Sequence, residues 1–385
     1  MNIYLDNCAT TRVRDEVLTE MIDVFKNEYG NPSSLHRMGL NIEKKIEASR
    51  KNIASLINSG ENEILFTSGG TESNNLAINS HVSKLNKSSS NIVTTSVEHP
   101  SVQNVYKQYE KKGYDVRYLD IDKDGFIDFE SLKKLVDKNT GLISIIYVNN
   151  EIGTIQKLDE IIKYVKGVSD GIKIHIDAVQ ALGKVPINLK KLDIDTMSFS
   201  AHKIHGAKGI GALYVSSKSN VDALMYGGAQ EKNLRPGTEN TPGIIGLGKA
   251  CELIKKDFNE EIKKLNSLKL AYADRLKEKI DDICINSMLD ENGAPQILSV
   301  SFKGVKAEVL LHYLENYGIY VSTRAACSSK SKNENPTLKG IGLSDEFMNG
   351  TIRISFGYFN NIDELDYAVD KIKESVEDIR KITTR

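Results

Sequence analysis

The chain has 385 residues and 42.8 kDa, long enough to bury a large core and to divide into two domains. Its 51 basic and 52 acidic residues give a formal charge of −1 and are well mixed, with no basic stripe, which argues against nucleic acid as the main partner. No apolar run approaches the roughly 18–20 residues that span a bilayer, so no membrane role is expected. The start, Met1-Asn2-Ile3-Tyr4-Leu5-Asp6, lacks a signal-peptide layout. Cys8, Cys251, Cys284 and Cys327 are scattered with no C-x-x-C pair, which suits reduced thiols in a cytoplasm.

From about residue 62 to 216, β-rich runs alternate with helical stretches. Strands are expected at Glu63–Thr67, Ile92–Ser96, Val116–Leu119, Leu142–Val148, Ile172–Ile176, Thr196–Ser200 and Gly211–Val215. Amphipathic stretches at Ser101–Lys112, Ser131–Lys138 and Leu158–Val168 lie between several of them. The alternation predicts an α/β fold with helices on both faces of a mostly parallel seven-stranded sheet. Near residue 251 the pattern changes. Ile254, Phe258, Ile262, Leu265, Leu268, Tyr272, Leu276 and Ile280 recur at spacings of three and four, predicting one long helix. Strands at Ile297–Phe302, Ile319–Ser322 and Thr351–Ser355, with helices at Val305–Tyr317 and Ile362–Lys381, complete a smaller α+β domain. The expected division is 15–252 for the large domain and 1–14 with 253–385 for the small one.

Several strand ends carry chemistry. Lys203 closes Ser198-Phe199-Ser200-Ala201-His202-Lys203, and Asp177 follows the apolar run ending His175-Ile176. On α/β sheets ligands bind beyond the carboxyl ends of strands. A lysine and an aspartate placed there suit pyridoxal 5′-phosphate (PLP), the lysine as Schiff-base amine and the aspartate keeping the pyridine nitrogen protonated. Phe66-Thr67-Ser68-Gly69-Gly70-Thr71 reads as strand, glycine turn and helix start. By itself this suits an ordinary glycine turn with a Thr or Ser cap, but beside a PLP lysine its free N–H groups and the Thr71 hydroxyl offer a phosphate cradle, which Ser200 and His202 would complete. His99, at the next strand end, would stack on the ring and act near neutral pH as an acid–base group; the alternative is a loop histidine before Pro100. Asn150 and Gln180 would bond the ring hydroxyl; the alternative is that they serve plain turns. Arg353, alone in an apolar strand, needs an anionic partner: a substrate carboxylate or a structural ion pair. Thr238, in a Gly/Pro loop, would reach a phosphate. His202 and His205 have no third ligand nearby, so no metal site is expected. Cys327 sits beside Arg324, Lys330 and Lys332 in a polar stretch, which favours an exposed, reactive thiolate; the other three cysteines lie among apolar neighbours and are expected to be structural.

Taken together, Tyr4-Leu5-Asp6-Asn7, Gly30-Asn31-Pro32-Ser33, the motifs above and Ile352-Arg353-Ile354-Ser355 resemble the cysteine desulfurases of the class V aminotransferase family, of PLP fold type I, over nearly the whole chain. The resemblance implies conversion of L-cysteine to L-alanine with a persulfide left on Cys327 for iron–sulfur cluster assembly or tRNA thiolation. It implies catalytic Lys203, Cys327 and His99, and a PLP site of Gly70, Thr71, His99, Asn150, Asp177, Gln180, Ser200, His202 and Lys203. Substrate would meet Asn150 and Arg353, and Thr238 would come from the partner of a homodimer. A selenocysteine lyase or other PLP enzyme of the class, and an inactive partner-binding adaptor of the same fold, are the alternatives. Two departures stand out. Arg324-Ala325-Ala326 replaces the Gly-Ser-Ala that usually precedes the cysteine. The chain also stops at Arg385, before the segment with which housekeeping members dock their scaffold, so the sulfur acceptor is expected to be either a scaffold or a tRNA-thiolation enzyme.

Overall fold

The computed structural model describes residues 2–323 and 335–383. Strands are β1 (Ile3–Tyr4), β2 (Ile64–Thr67), β3 (Asn91–Thr95), β4 (Asp115–Leu119), β5 (Thr140–Ile146), β6 (Lys173–Asp177), β7 (Thr196–Ser200), β8 (Gly211–Val215), β9 (Ile283–Ile285), β10 (Ile297–Phe302), β11 (Ile319–Tyr320) and β12 (Thr351–Ser355). Seven form one sheet in the order β2-β8-β7-β6-β5-β3-β4. Its pairs are parallel except those made by β8, which runs against β2 and β7. Strands β5, β6 and β7 are buried along nearly their whole length because both faces are covered, as expected for a parallel sheet between helices. A second, antiparallel sheet has the order β12-β10-β9, and β1 pairs with β11.

Among the described residues the two largest clusters of buried apolar side chains lie against the seven-stranded sheet and around β10 and β12. Ile3 and Leu5 belong to the second, so the amino-terminal segment packs with the carboxyl-terminal part of the chain. The helix Thr241–Lys279 joins the two: Ile244, Leu247 and Ile254 enter the first cluster, Leu265, Leu268 and Tyr272 the second. It starts well before the expected Ile254, because the glycines of Thr241-Pro242-Gly243-Ile244-Ile245-Gly246-Leu247-Gly248 look like a loop. They serve packing instead. A Cβ on Gly248 would stand 2.4 Å from Ser49 Cβ, and one on Gly246 would stand 2.8 Å from Met21 Sδ. Only glycine lets this helix lie against the helices Asp15–Asn27 and Arg37–Ile57, neither of which was expected from the sequence.

Candidate active site

The residues that follow β2, β3, β5, β6 and β7 meet at one end of the sheet. Ala9, Gly70, Thr71, His99, Ser101, Ile146, Asn150, Asp177, Val179, Gln180, Ser200, His202 and Lys203 line a cavity of about 200 Å³. Nine of the expected site residues are thus brought together: Gly70, Thr71, His99, Asn150, Asp177, Gln180, Ser200, His202 and Lys203. Thr238 is not. It lies exposed in the loop before the long helix and lines no part of this cavity. Cys327 and its neighbours Arg324, Lys330 and Lys332 fall outside the described residues.

Lys203 ends the single 3-10 turn Ala201–Lys203 after β7, so its side chain emerges where the sheet stops. Its Nζ donates to the carbonyls of Cys8 and, at 2.9 Å, Ala9. Burial pushes the amine down to about 8, with Arg353 pushing the same way and Cys8, Asp6 and Asp177 opposing. A buried lysine close to neutrality is a usable nucleophile and base. Asp177 ends β6 and is 3 % exposed. One carboxylate oxygen accepts the Val179 N–H at 3.0 Å and the other accepts from Asn74 Nδ2 at 2.8 Å. Each oxygen keeps a lone pair for a cationic N–H in the cavity.

His99 caps the helix Pro100–Lys111, its Nδ1 accepting the Ser101 N–H at 3.2 Å. Burial lowers its pKa, with Lys203 adding to the effect and Asp177 opposing it, so the ring is neutral and presents Nε2–H. Burial takes His202 down to about 4 as well. Gln180 Nε2 donates to the Cys8 carbonyl at 3.1 Å.

The anion side is the start of the helix Gly70–Val82. Gly69 has φ of +149°, a conformation that favours glycine, and a Cβ on Gly70 would lie 2.6 Å from Val179 Cγ2. The backbone at Gly70 therefore packs directly on Val179 at the cavity wall, where the first N–H groups of a helix have no partner within it. A second cavity of about 410 Å³ continues from Thr71, Ser200 and His202 to Lys208. An amine, a buried carboxylate, a neutral imidazole and a helix start around one space fit PLP. The glycine positions leave room where its phosphate needs it.

Arg353, 5 % exposed on β12, stands behind Asn150. Its Nη1 donates to the Asn150 carbonyl at 2.7 Å and its Nη2 pairs with Asp6 at 3.1 Å, while Nε–H has no partner among the described residues. The ion pair with Asp6 therefore exists; the Nε atom is itself buried, and Arg353 does not line the cavity. Sequence reasoning did not anticipate the strap 6–11 that links these parts. Asp6 holds Arg353, Cys8 N–H donates to Ser355 Oγ at 2.9 Å, Cys8 and Ala9 hold Lys203, and Thr11 N–H donates to the His202 carbonyl at 2.9 Å. The signal was available in the polar run Asp6-Asn7 and Thr10-Thr11 directly after a buried strand. Asn74 was also missed, although it sits one helical turn beyond Gly70 and so on the same face.

Residues 3–368 match the family described as aminotransferase class-V. Among curated proteins the chain is 40 % identical over 381 residues to "Cysteine desulfurase IscS" of Dictyoglomus turgidum, covering 99 % of this chain and 96 % of that protein. It is equally 40 % identical over 381 residues to "Cysteine desulfurase" of Nostoc sp., covering 99 % and 94 %. Among solved structures it is similar to a "NifS-like protein" (38 % identity, TM-score 0.92, 98 % of this chain and 100 % of that one). It is also similar to "SspA in complex with cysteine" (31 % identity, TM-score 0.77, 92 % and 99 %). The chain belongs to the class-V aminotransferase family, among its cysteine desulfurases.

Proposed function

We propose that this protein binds PLP through Lys203 and removes sulfur from L-cysteine, releasing L-alanine and holding the sulfur as a persulfide on Cys327. The observation that carries the reading is the pairing of the Lys203 amine, lowered to about 8, with the Asp177 carboxylate across one cavity that opens onto a helix start. When bound, PLP supplies an electron sink for charge that develops at the substrate α-carbon. The residues of the chain do the rest. Asp177 keeps the ring nitrogen protonated, His99 covers the ring face, Asn150 and Gln180 meet the ring hydroxyl, and Gly70, Thr71, Ser200 and His202 hold the phosphate. Arg353 holds the substrate carboxylate. Lys203 Nζ takes the α-proton, for which its near-neutral pKa suits it. The Cys327 thiolate bonds to the substrate sulfur as the carbon–sulfur bond breaks, and the released chain takes a proton to become alanine.

The unit 15–252 would supply the PLP site, and 1–14 with 253–385 would carry Arg353 and Cys327. A two-fold dimer, with Thr238 reaching the partner's phosphate, is supported by two features. Thr238 is exposed and remote from its own cavity. Leu18, Ile22, Phe25, Tyr29 and Leu35 leave 46, 43, 65, 70 and 92 % of their surface exposed. A sulfur-acceptor protein, scaffold or tRNA-thiolation enzyme, would collect the persulfide in the cytoplasm; among the described residues no helix is long and apolar enough to cross a membrane. The test is reduction with borohydride after loading. PLP should become fixed to Lys203, and Lys203→Ala should lose both the adduct and alanine release. Undiminished alanine release by Lys203→Ala would refute the assignment.

A further inference from the structure

Asn74 is fully buried and does not line the cavity, yet its one amide joins the two groups expected to govern the cofactor ring. Nδ2 donates to Asp177 at 2.8 Å and to Ser101 Oγ at 2.8 Å. Oδ1 lies 3.0 Å from His175 Nε2, and His175 Nδ1 lies 2.9 Å from Thr196 Oγ1. At the other end Ser101 Oγ lies 2.8 Å from His99 Nδ1.

The proton positions along this path follow from counting donors. Asn74 Nδ2 has two hydrogens and both are used. Turning the amide over would set its oxygen against the Asp177 carboxylate. Oδ1 therefore accepts, so His175 carries its proton on Nε2 and takes the Thr196 hydroxyl proton at Nδ1. Burial brings His175 down to about 3, consistent with a ring bearing that single proton. His99 Nδ1 accepts the Ser101 N–H and so bears no proton, and Ser101 Oγ, which accepts from Asn74, gives it its own hydrogen as well. Two donors at Nδ1 leave the His99 proton on Nε2, the nitrogen left to face the cavity. Every donor in the path has an acceptor, and no other assignment satisfies all of them.

We propose that Asn74 is a positioning residue that fixes, through one amide, both the orientation of the Asp177 carboxylate and the tautomer of His99. It acts from behind the site and touches neither cofactor nor substrate. A polar group held in a fully satisfied buried network is costly to remove, because its partners lose hydrogen bonds that water cannot replace. The inference rests on the reading of the cavity as a PLP site, and its test separates the two.

Apoprotein is prepared with ¹⁵N-labelled imidazoles, and two quantities are read: the Kd for PLP by fluorescence, and the His99 tautomer from its ring nitrogen shifts. The parent should bind PLP and show His99 with the proton on Nε2. Asn74→Ala should raise the Kd about tenfold, equivalent to about 1.4 kcal/mol, and give a mixture of His99 tautomers. If Asn74→Ala does not fold by circular dichroism, His175→Phe removes the donor that orients the amide and should move both readouts in the same direction. Parent-like Kd and tautomer in the folded Asn74 or His175 variant would overturn the inference. A parent apoprotein that binds no PLP would instead overturn the cofactor reading.

Discussion

The pH dependence of cofactor attachment is set by Lys203. An amine attacks an aldehyde only when neutral, and burial holds this one at about 8 where an ordinary lysine is near 10.5. At pH 7 about one Lys203 in ten would be neutral, at pH 8 about half and at pH 9 about nine in ten, so attachment should speed up roughly tenfold and then level off. A lysine of ordinary pKa would instead gain about tenfold per pH unit, about a hundredfold from pH 7 to 9, without levelling. The two nearby imidazoles do not blur the curve, since His99 lies below its ordinary value and His202 near 4, so both are neutral throughout this range. The assay is the rate at which apoprotein and a fixed, low concentration of PLP develop visible absorbance. Lys203→Ala serves as the blank. Because Arg353 pushes the Lys203 amine down, Arg353→Gln should move the plateau to higher pH. A rate that is flat from pH 7 to 9, or still rising tenfold per unit at pH 9, would refute the reasoning.

In the same Arg353→Gln variant, loss of a charge-assisted hydrogen bond to the substrate carboxylate should lower kcat/KM for L-cysteine about tenfold to a hundredfold, mostly through KM. PLP content should be kept, and an unchanged KM would leave Arg353 with only its Asp6 ion pair. Lys184 and Glu261 form an ion pair at 2.9 Å with each side chain only 5 % exposed, so Lys184→Met strands a buried carboxylate. It should cost about 3–5 kcal/mol in denaturant unfolding, and adding Glu261→Leu should recover most of that loss. A Lys184→Met protein as stable as the parent would mean that water reaches Glu261. Sedimentation at assay concentration should give a dimer; an active, PLP-loaded monomer would exclude a shared site.

The seven-stranded sheet was legible because its buried strands are short apolar runs set between amphipathic helices, and β7, β8, β10 and β12 fall on their expected residues. The same legibility placed Asp177 and Lys203, whose positions are fixed by where two such runs stop. What sequence could not show was contact across the chain. The strap 6–11 reaches Lys203 through backbone carbonyls, and any residue can supply a carbonyl, so Cys8 and Ala9 carry no signature. Asn74 was hidden by its helix, where an asparagine looks like an exposed polar position until Asp177 and Ser101 are seen against it. The early part of the long helix was disguised by glycines whose purpose lies in the helices they touch. Arg353 was left open between ion pair and ligand; the structure shows the ion pair, made with Asp6 at a separation of 347 residues that no spacing in the sequence could signal.

The central claim is that sulfur leaves L-cysteine and is held by Cys327. Mass spectrometry of the PLP-loaded protein after a single exposure to L-cysteine, followed by digestion under non-reducing conditions, tests it directly. The account predicts one added sulfur atom on the peptide that contains Cys327, accompanied by an equal amount of alanine. Added sulfur on Cys8, Cys251 or Cys284, or alanine formed with no protein-bound sulfur, would contradict it.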